Sequence, residues 1–260
     1  VPCPVAPIIC SNPFKPGDFC NGHSLNPLHL SYFQKMKPKR VVISWSGGKD
    51  AAWALQKARE ADGIIVTGLF CTYDPATEKV PIHGAPISLI KSQARALGLP
   101  IDLIPLPAKA SNKDYEKAIN AYFQRLKLRD MDAVVYGDVS LKDVRDYKQN
   151  LTKQHSLEAL FPLWNLETDD LAMSMVLAGI KAIVCSVDPQ KVDPLLLGNP
   201  FDAHFLNALK PNVDPCGENG EFHTFVLYTE DFRFPVNLMQ LGRSQSRGME
   251  MLEIFPYSRN

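Results

Sequence analysis

Val41-Val42-Ile43-Ser44-Trp45-Ser46-Gly47-Gly48-Lys49-Asp50 is the stretch that decides the fold. Its first three residues are β-branched and uninterrupted, which predicts a short buried strand over Val41–Ser44. Directly after it, Ala52, Leu55 and Ala58 recur at helical spacing, predicting a helix over 50–60. The chain must therefore turn sharply between Ser44 and Asp50. Gly47 and Gly48 let backbone approach a ligand closely. The N–H groups at the start of the helix point outward unpaired, at the positive end of its dipole. Strand, glycine turn and helix together make an anion cradle. Ser44 opens the loop, Ser46 adds a hydroxyl and Lys49 a charge, and Asp50 is placed to N-cap the helix or to hold a metal ion. The loop is not a Walker A motif, because Ile43 and Asp50 stand where that motif needs Gly and Ser or Thr, and it is not GxGxxG.

The same alternation continues outward. Strands are predicted at 64–70, 101–105 and 133–136. Helices are predicted at 86–97, stopped by Gly98 and Pro100, and at 113–128, with Tyr115, Ile119, Tyr122, Phe123 and Leu126 on one side. Strands alternating with helices imply right-handed crossovers and a parallel sheet covered on both faces, with ligands at the carboxyl ends of the strands. A second block starts near Leu157, with a helix at 167–177, a strand at 182–187, a short helix at 201–209 and a β-rich run at 222–228. The charged stretch 141–160 reads as a helical bridge between the blocks. The expected fold is α/β, a Rossmann-like parallel sheet with a smaller C-terminal α/β domain. It divides into 1–35, an irregular N-terminal extension, 36–150, the domain that carries the cradle, and 151–260, the C-terminal domain. Residues 1–35 hold six prolines and three charges. The first methionine, Met36, directly precedes Lys-Pro-Lys-Arg and the first strand, so the compact part is expected to start there.

Composition excludes several classes. The chain has 28 basic and 28 acidic side chains and a net charge of +0, so no whole-protein field draws it to nucleic acid. No apolar run approaches the roughly 20 residues that span a bilayer. The first ten residues carry three prolines and no basic flank, a poor fit to a signal peptide. The six cysteines form no CxxC pair and too few bridges for a disulfide scaffold, so reduced thiols and a cytoplasmic setting are expected, with Cys185 in the core. Cys3, Cys10, Cys20 and His23 match no common zinc spacing.

Three later segments carry chemistry. Val80-Pro-Ile-His83-Gly-Ala-Pro follows the second strand, which puts His83 beside the cradle. Val135-Tyr-Gly137-Asp138-Val139 closes the fourth strand. There Gly137 allows close approach of a ligand, and Asp138 is suited to Mg²⁺ or a ribose hydroxyl. Cys216-Gly-Glu-Asn-Gly-Glu-Phe-His-Thr-Phe225 packs Glu218, Glu221 and His223 into six residues between and beside two glycines. No packing need explains that density. A carboxylate can deprotonate or position an ammonium nucleophile. Asn219, Gly220 and Thr224 are suited to a substrate's polar groups, and Asp214 is near enough to add to the same anionic pocket.

The Ser46-Gly-Gly-Lys-Asp50 loop resembles the pyrophosphate-binding loop of the N-type ATP pyrophosphatases, whose fold is adenine nucleotide alpha hydrolase-like. The usual pattern ends in serine, and this chain has Ala51 there. Together with the His83-Gly segment, Gly137-Asp-Val, Phe161-Pro-Leu-Trp164 and the 216–225 motif, it resembles the diphthine–ammonia ligase family over about residues 38 to 235. His223 stands where other members often have a second glutamate. The resemblance implies an ATP-dependent ligase that adenylates an acceptor carboxylate and transfers ammonia, releasing AMP and pyrophosphate. Its cofactors would be ATP and Mg²⁺, the metal on Asp50 and Asp138. ATP would lie against Ser44 to Asp50, His83, Gly137 and Asp138. Glu218, Glu221 and His223 would be catalytic, with Trp164 joining Asn219, Gly220 and Thr224 at the substrate. The implied partners are ATP, ammonia and a carboxylate acceptor, either a protein side chain or a small molecule. Stable nucleic-acid binding and a membrane are not expected, and a homodimer is compatible with this reading. Three rivals stand beside it. One is the same chemistry on a small carboxylic acid such as a cobalamin precursor. Another is a tRNA-thiolating relative, disfavoured by zero net charge and unpaired cysteines. The third is a nucleotide-binding protein that has lost catalysis, favoured by Ala51.

Overall fold

The computed structural model describes residues 37–107 and 109–257. The expected extension 1–35, with Cys3, Cys10, Cys20 and His23, lies outside the described residues. The first strand, β1 (Lys39–Ser44), alternates its side chains between two cores. Val41 and Ile43 face one, with Leu69, Cys71, Ala133 and Val135. Val42 faces the other, with Phe70, Ile104 and Val134. Each such fully buried aliphatic side chain contributes about 1.5–3 kcal/mol, so both faces of the sheet must be covered.

They are covered by the helices that connect the strands. In chain order these are α1 (Lys49–Glu60), β2 (Ile64–Tyr73), α2 (Ile87–Leu97), β3 (Ile101–Pro105), α3 (Asn112–Leu128), β4 (Ala133–Val135), α4 (Lys142–Lys153) and β5 (Glu158–Leu160). The five strands are parallel, in the order β3-β2-β1-β4-β5. Helices α1 and α2 pack on the face of Val41 and Ile43 through Leu55, Leu89 and Ile90. Helices α3 and α4 pack on the other face through Ile119, Phe123, Leu126 and Leu151. The chain leaves β1 towards β2 on one side and reaches β4 on the other, so a crevice opens at their carboxyl ends, where doubly wound sheets bind ligands.

Several boundaries moved for identifiable reasons. β2 runs to Tyr73 because Thr72 and Tyr73 pair with Ile104 and Pro105. The 141–160 bridge is instead α4 followed by β5, a fifth parallel strand whose Glu-Ala-Leu sequence has no β-branched residue to mark it. The division expected at residue 150 therefore falls inside α4, and the first sheet continues to Leu160. Ser111 and Asp114 form a reciprocal cap that starts α3 at Asn112.

The second sheet is antiparallel. It comprises β6 (Lys181–Val187), β7 (Phe222–Tyr228), β8 (Leu238–Ser246) and β9 (Met249–Pro256) in the order β7-β6-β9-β8, with α5 (Thr168–Leu177) and α6 (Ala203–Ala208). The tail from 240, outside the segment that carried the resemblance, is thus the β8–β9 hairpin. One continuous core links the sheets, from Ile43 and Leu55 to Val184, Phe225 and Ile254. Cys185 is buried there, and desolvation pushes its thiol up to about 12. Among the described residues no helix is long and apolar enough to cross a membrane.

Candidate functional site

The glycine turn is shaped by what packs against it. Gly47 has φ +86°, and a Cβ there would meet Ile90 Cδ1 at 2.7 Å. A Cβ on Gly48 would meet His83 Cε1 at 2.9 Å and the Thr224 carbonyl oxygen at 3.2 Å. Gln93, fully buried, ties the turn down. It donates to the carbonyls of Gly47 (3.0 Å) and Val226 (2.7 Å) and accepts from Trp45 Nε1 (2.9 Å). The Gly47 carbonyl also accepts from the Val226 N–H at 2.9 Å. The loop is thereby bound to β7 of the second sheet, and α1 begins with Gly48 as its N-cap. Within the helix, the first-turn N–H groups of Asp50 and Ala51 have no carbonyl four residues back to bond. They supply the positive end of the cradle.

Two expectations change here. Asp50 does not cap the helix: it is the second helical residue, and Gly48 has no side chain to accept a bond. Lys49 does not reach outward with its charge. Its side chain is 2% exposed, and its ammonium donates to both Asp50 oxygens (2.8 and 2.9 Å) and to the Cys216 carbonyl (2.5 Å). The rings of Phe201 and Phe222 lie 5.6 and 5.5 Å from it. Burial alone would lower its pKa, but Asp50 and the other anionic groups nearby outweigh that and hold it above 10.5. Lys49 is a buried strut between the start of α1 and the segment before β7.

Gly137 is also explained by packing. A Cβ there would sit 2.8 Å from the Asp50 carbonyl oxygen and 3.1 Å from the Ala51 nitrogen, so the end of β4 admits the first turn of α1 only as glycine. Asp138 is bonded through both oxygens to Lys148 Nζ of α4, at 2.7 Å each.

In the 216–225 motif the roles divide. Glu218 Oε2 accepts from the N–H groups of Val139 and Ser140, both at 3.2 Å, which joins the loop before β7 to the loop after β4. Burial and then the charge of Asp50 raise its pKa above 4.5. Glu221, 2% exposed, accepts from Asn219 N (2.9 Å), Asn219 Nδ2 (3.1 Å) and Asp214 N (3.3 Å), so its carboxylate is used within its own turn. Thr224 Oγ1 accepts from the Lys49 N–H at 3.1 Å. His83 Nδ1 lies 3.2 Å from the Thr224 carbonyl; a carbonyl only accepts, so Nδ1 carries the hydrogen and Nε2 is left as an acceptor. The His83 and His223 rings are 4.8 Å apart. Burial holds His83 below 6.5; burial, His83 and Lys49 hold His223 well below it.

These groups surround one cleft of about 260 Å³, lined by Ser44, Ser46, Asp50, Ala51, His83, Gly137, Asp138, Lys148, Glu218, Gly220, His223 and Thr224 among others. A second chamber of about 430 Å³ shares Ser46, His83, Lys148 and His223 with it, and has apolar walls from Val80, Pro81, Ile82, Leu106 and Pro107. Gly47, Gly48, Lys49, Asn219 and Glu221 support the cleft without lining it. Trp164 stands apart, with the Arg145 guanidinium 4.4 Å over its ring. The sequence reading missed Gln93, the Cys216 carbonyl and Lys148. Lys148 in particular sits in an ordinary charged helix, with nothing local to mark it.

Among the described residues no three His, Cys, Asp or Glu side chains are grouped to hold a metal by themselves. The carboxylates on the cleft wall are Asp50, Asp138 and Glu218, oxygen donors of the type a hard cation such as Mg²⁺ takes; Asp50 is paired with Lys49 and Asp138 with Lys148.

The diphthamide synthase N-terminal domain family matches residues 39–158, and the diphthamide synthase C-terminal domain family matches 167–255. The chain is 31% identical over 209 residues to a diphthine–ammonia ligase of Mus musculus and 30% over 210 residues to that of Rattus norvegicus. It is 25% identical over 213 residues to that of Bos taurus. Each alignment covers 72% of this chain and 78% of the relative. With both domain families matched in order across the parallel and antiparallel sheets, the chain belongs to the diphthamide synthase family.

Proposed function

We propose that this protein is an ATP-dependent ligase that adenylates an acceptor carboxylate and transfers ammonia to it, releasing AMP and pyrophosphate. The observation that carries the reading is the cleft itself. The start of α1 offers a phosphate cradle, and Glu218, a carboxylate with a raised pKa, stands on the same cleft, bonded to the loop after β4. The β- and γ-phosphates would lie on the Asp50 and Ala51 N–H groups and the Ser46 hydroxyl. The base would enter the apolar second chamber. Bound at Asp50 and Asp138, Mg²⁺ would neutralise phosphate charge.

An acceptor carboxylate oxygen attacks the α-phosphorus, and the bond to the β-phosphate oxygen breaks, with pyrophosphate leaving. Ammonia then attacks the acyl carbon, AMP departs with the electron pair, and the amide loses a proton to a base on the cleft. Glu218 and His223 line the cleft as the groups to orient the amine and take that proton. Glu221 and Asn219 act by holding the turn that presents Glu218. Positioning and fixed dipoles supply most of the rate. The name of the relatives, diphthine–ammonia ligase, makes diphthine the first acceptor to test.

A second reading, nucleotide binding without turnover, is favoured by Ala51, which lines the cleft where a serine hydroxyl is usual. One experiment separates the two: pyrophosphate release with ATP, Mg²⁺ and ammonium over a panel of carboxylate acceptors. Acceptor-dependent release supports the ligase. Nucleotide binding with no release for any acceptor supports the second reading, and absence of nucleotide binding sinks both.

A further inference from the structure

The glycine loop brings its own lysine, yet that lysine is spent inside the protein: Lys49 is 2% exposed and bonded to Asp50 and Cys216. The cleft it was expected to serve is lined by three carboxylates, Asp50, Asp138 and Glu218. Among the described residues lining that cleft, Lys148 carries the one ammonium or guanidinium. A polyphosphate needs cationic donors in such a place.

We propose that Lys148 is the residue that contacts the α-phosphate of the bound nucleotide. This rests on the nucleotide reading above and adds a named group to it. Lys148 lines both the phosphate cleft and the apolar chamber. A nucleotide with its base in one and its β- and γ-phosphates in the other carries its α-phosphate across the seam where Lys148 stands. The ammonium is already positioned there. Two of its bonds go to Asp138, both 2.7 Å, and the Tyr136 ring lies 5.1 Å from Nζ. An ammonium has three N–H donors, so one is left for a phosphate oxygen without breaking the pair with Asp138. Arg247 lines the chamber but not the phosphate cleft, so it does not compete for this position.

The test compares two small probes that need no acceptor. Adenosine has no phosphate, and AMP has only the α-phosphate. Affinities of the full chain for both are measured by titration calorimetry without divalent metal, in wild type, Lys148→Met and Lys148→Arg. The expected result is tighter binding of AMP than of adenosine in wild type. Lys148→Met should lose at least tenfold of that preference with adenosine affinity unchanged, and Lys148→Arg should keep most of it. Unchanged adenosine affinity also certifies a folded site; if Lys148→Met loses it, Lys148→Gln takes its place. If a folded charge-removing variant keeps the full AMP preference, Lys148 is not the contact and the inference is overturned while nucleotide binding stands. If Asp138→Asn/Lys148→Met regains the preference, Lys148 merely neutralises Asp138, which also overturns it. If wild type binds neither probe nor ATP, the nucleotide reading falls and takes this inference with it.

Discussion

Glu218 accepts the backbone N–H of Val139 at 3.2 Å, across 79 positions of sequence, so a side chain before β7 holds the loop that ends β4. The Ser140 N–H is held by the same oxygen. Glu218→Ala removes that acceptor, while Glu218→Gln keeps an oxygen for it. Because Ser140 is exposed and water replaces part of the loss, Glu218→Ala should cost about 1 kcal/mol in urea unfolding and Glu218→Gln less. Turnover should fall in both. Wild-type turnover in Glu218→Gln would remove the carboxylate from the reaction.

Lys49 should behave as a structural residue. Lys49→Ala deletes one member of a buried ionic cluster and leaves the Cys216 carbonyl without its donor. Such deletions cost about 3–5 kcal/mol when fully buried. Asp50 keeps 30% of its side chain exposed, which brings the expected loss nearer 2–3 kcal/mol, read from chemical denaturation. Unchanged stability with weakened ATP binding would show instead that the ammonium turns out to the ligand.

Gly137→Ala should be worse than its size implies. Its Cβ would approach the Asp50 carbonyl oxygen to 2.8 Å, and that backbone belongs to the first turn of α1. Overpacking of this kind costs about 1–3 kcal/mol. The displaced turn is the cradle, so ATP affinity, measured by calorimetry, should drop at least tenfold. Retained affinity would mean that the cradle does not use these N–H groups.

Ala51→Ser restores a hydroxyl on the cleft wall. One added hydrogen bond is worth about 0.5–1.5 kcal/mol, which predicts a gain in ATP affinity of about two- to twelvefold. No gain would show that the missing hydroxyl has no bearing on nucleotide binding.

His223 makes stability depend on pH. Its pKa lies well below 6.5 in the folded protein, so the unfolded chain takes up the proton first as pH falls. Stability that is present above pH 6.5 is therefore lost on acidification through that value, down towards the folded pKa. His223→Gln should show a smaller drop in thermal midpoint between pH 7 and pH 5 than wild type. Equal drops would place the imidazole in a wetter setting.

Asp50→Ala removes a carboxylate from the cleft and the partner of Lys49. It should abolish acceptor-dependent pyrophosphate release, and unchanged kinetics would refute the placement of the site.

Most of the parallel sheet was readable from sequence because its signals are local. β-branched runs such as Val41 to Ile43, glycine stops such as Gly98 and the helical spacing of Leu55 and Ala58 report on neighbours a few residues away. The glycine turn identified the cradle for the same reason, since a strand feeding a helix through Gly47 and Gly48 can bend in few ways. The three-residue β5 and the β8–β9 hairpin were not readable. β5 reads Glu-Ala-Leu and lacks the β-branched pair that marks the equally short β4, and an exposed edge strand such as β8 has no apolar alternation to reveal it.

The direction of each side chain was decided only by tertiary contacts. Sequence made Lys49 the phosphate cation and Glu221 a catalytic carboxylate. Packing against Phe201, Phe222 and Cys216 turned Lys49 inward, and the Asn219 turn closed over Glu221. Lys148 is the reverse case. In α4 it is one charge among many, and it gains a place at the cleft only because β4 and Asp138 lie beside that helix. Residue types and their spacing on one element are written locally, and they determined the fold and the cradle of this protein. Which charged groups meet the ligand depends on desolvation and pairing between elements far apart in sequence, and only the assembled structure decides that.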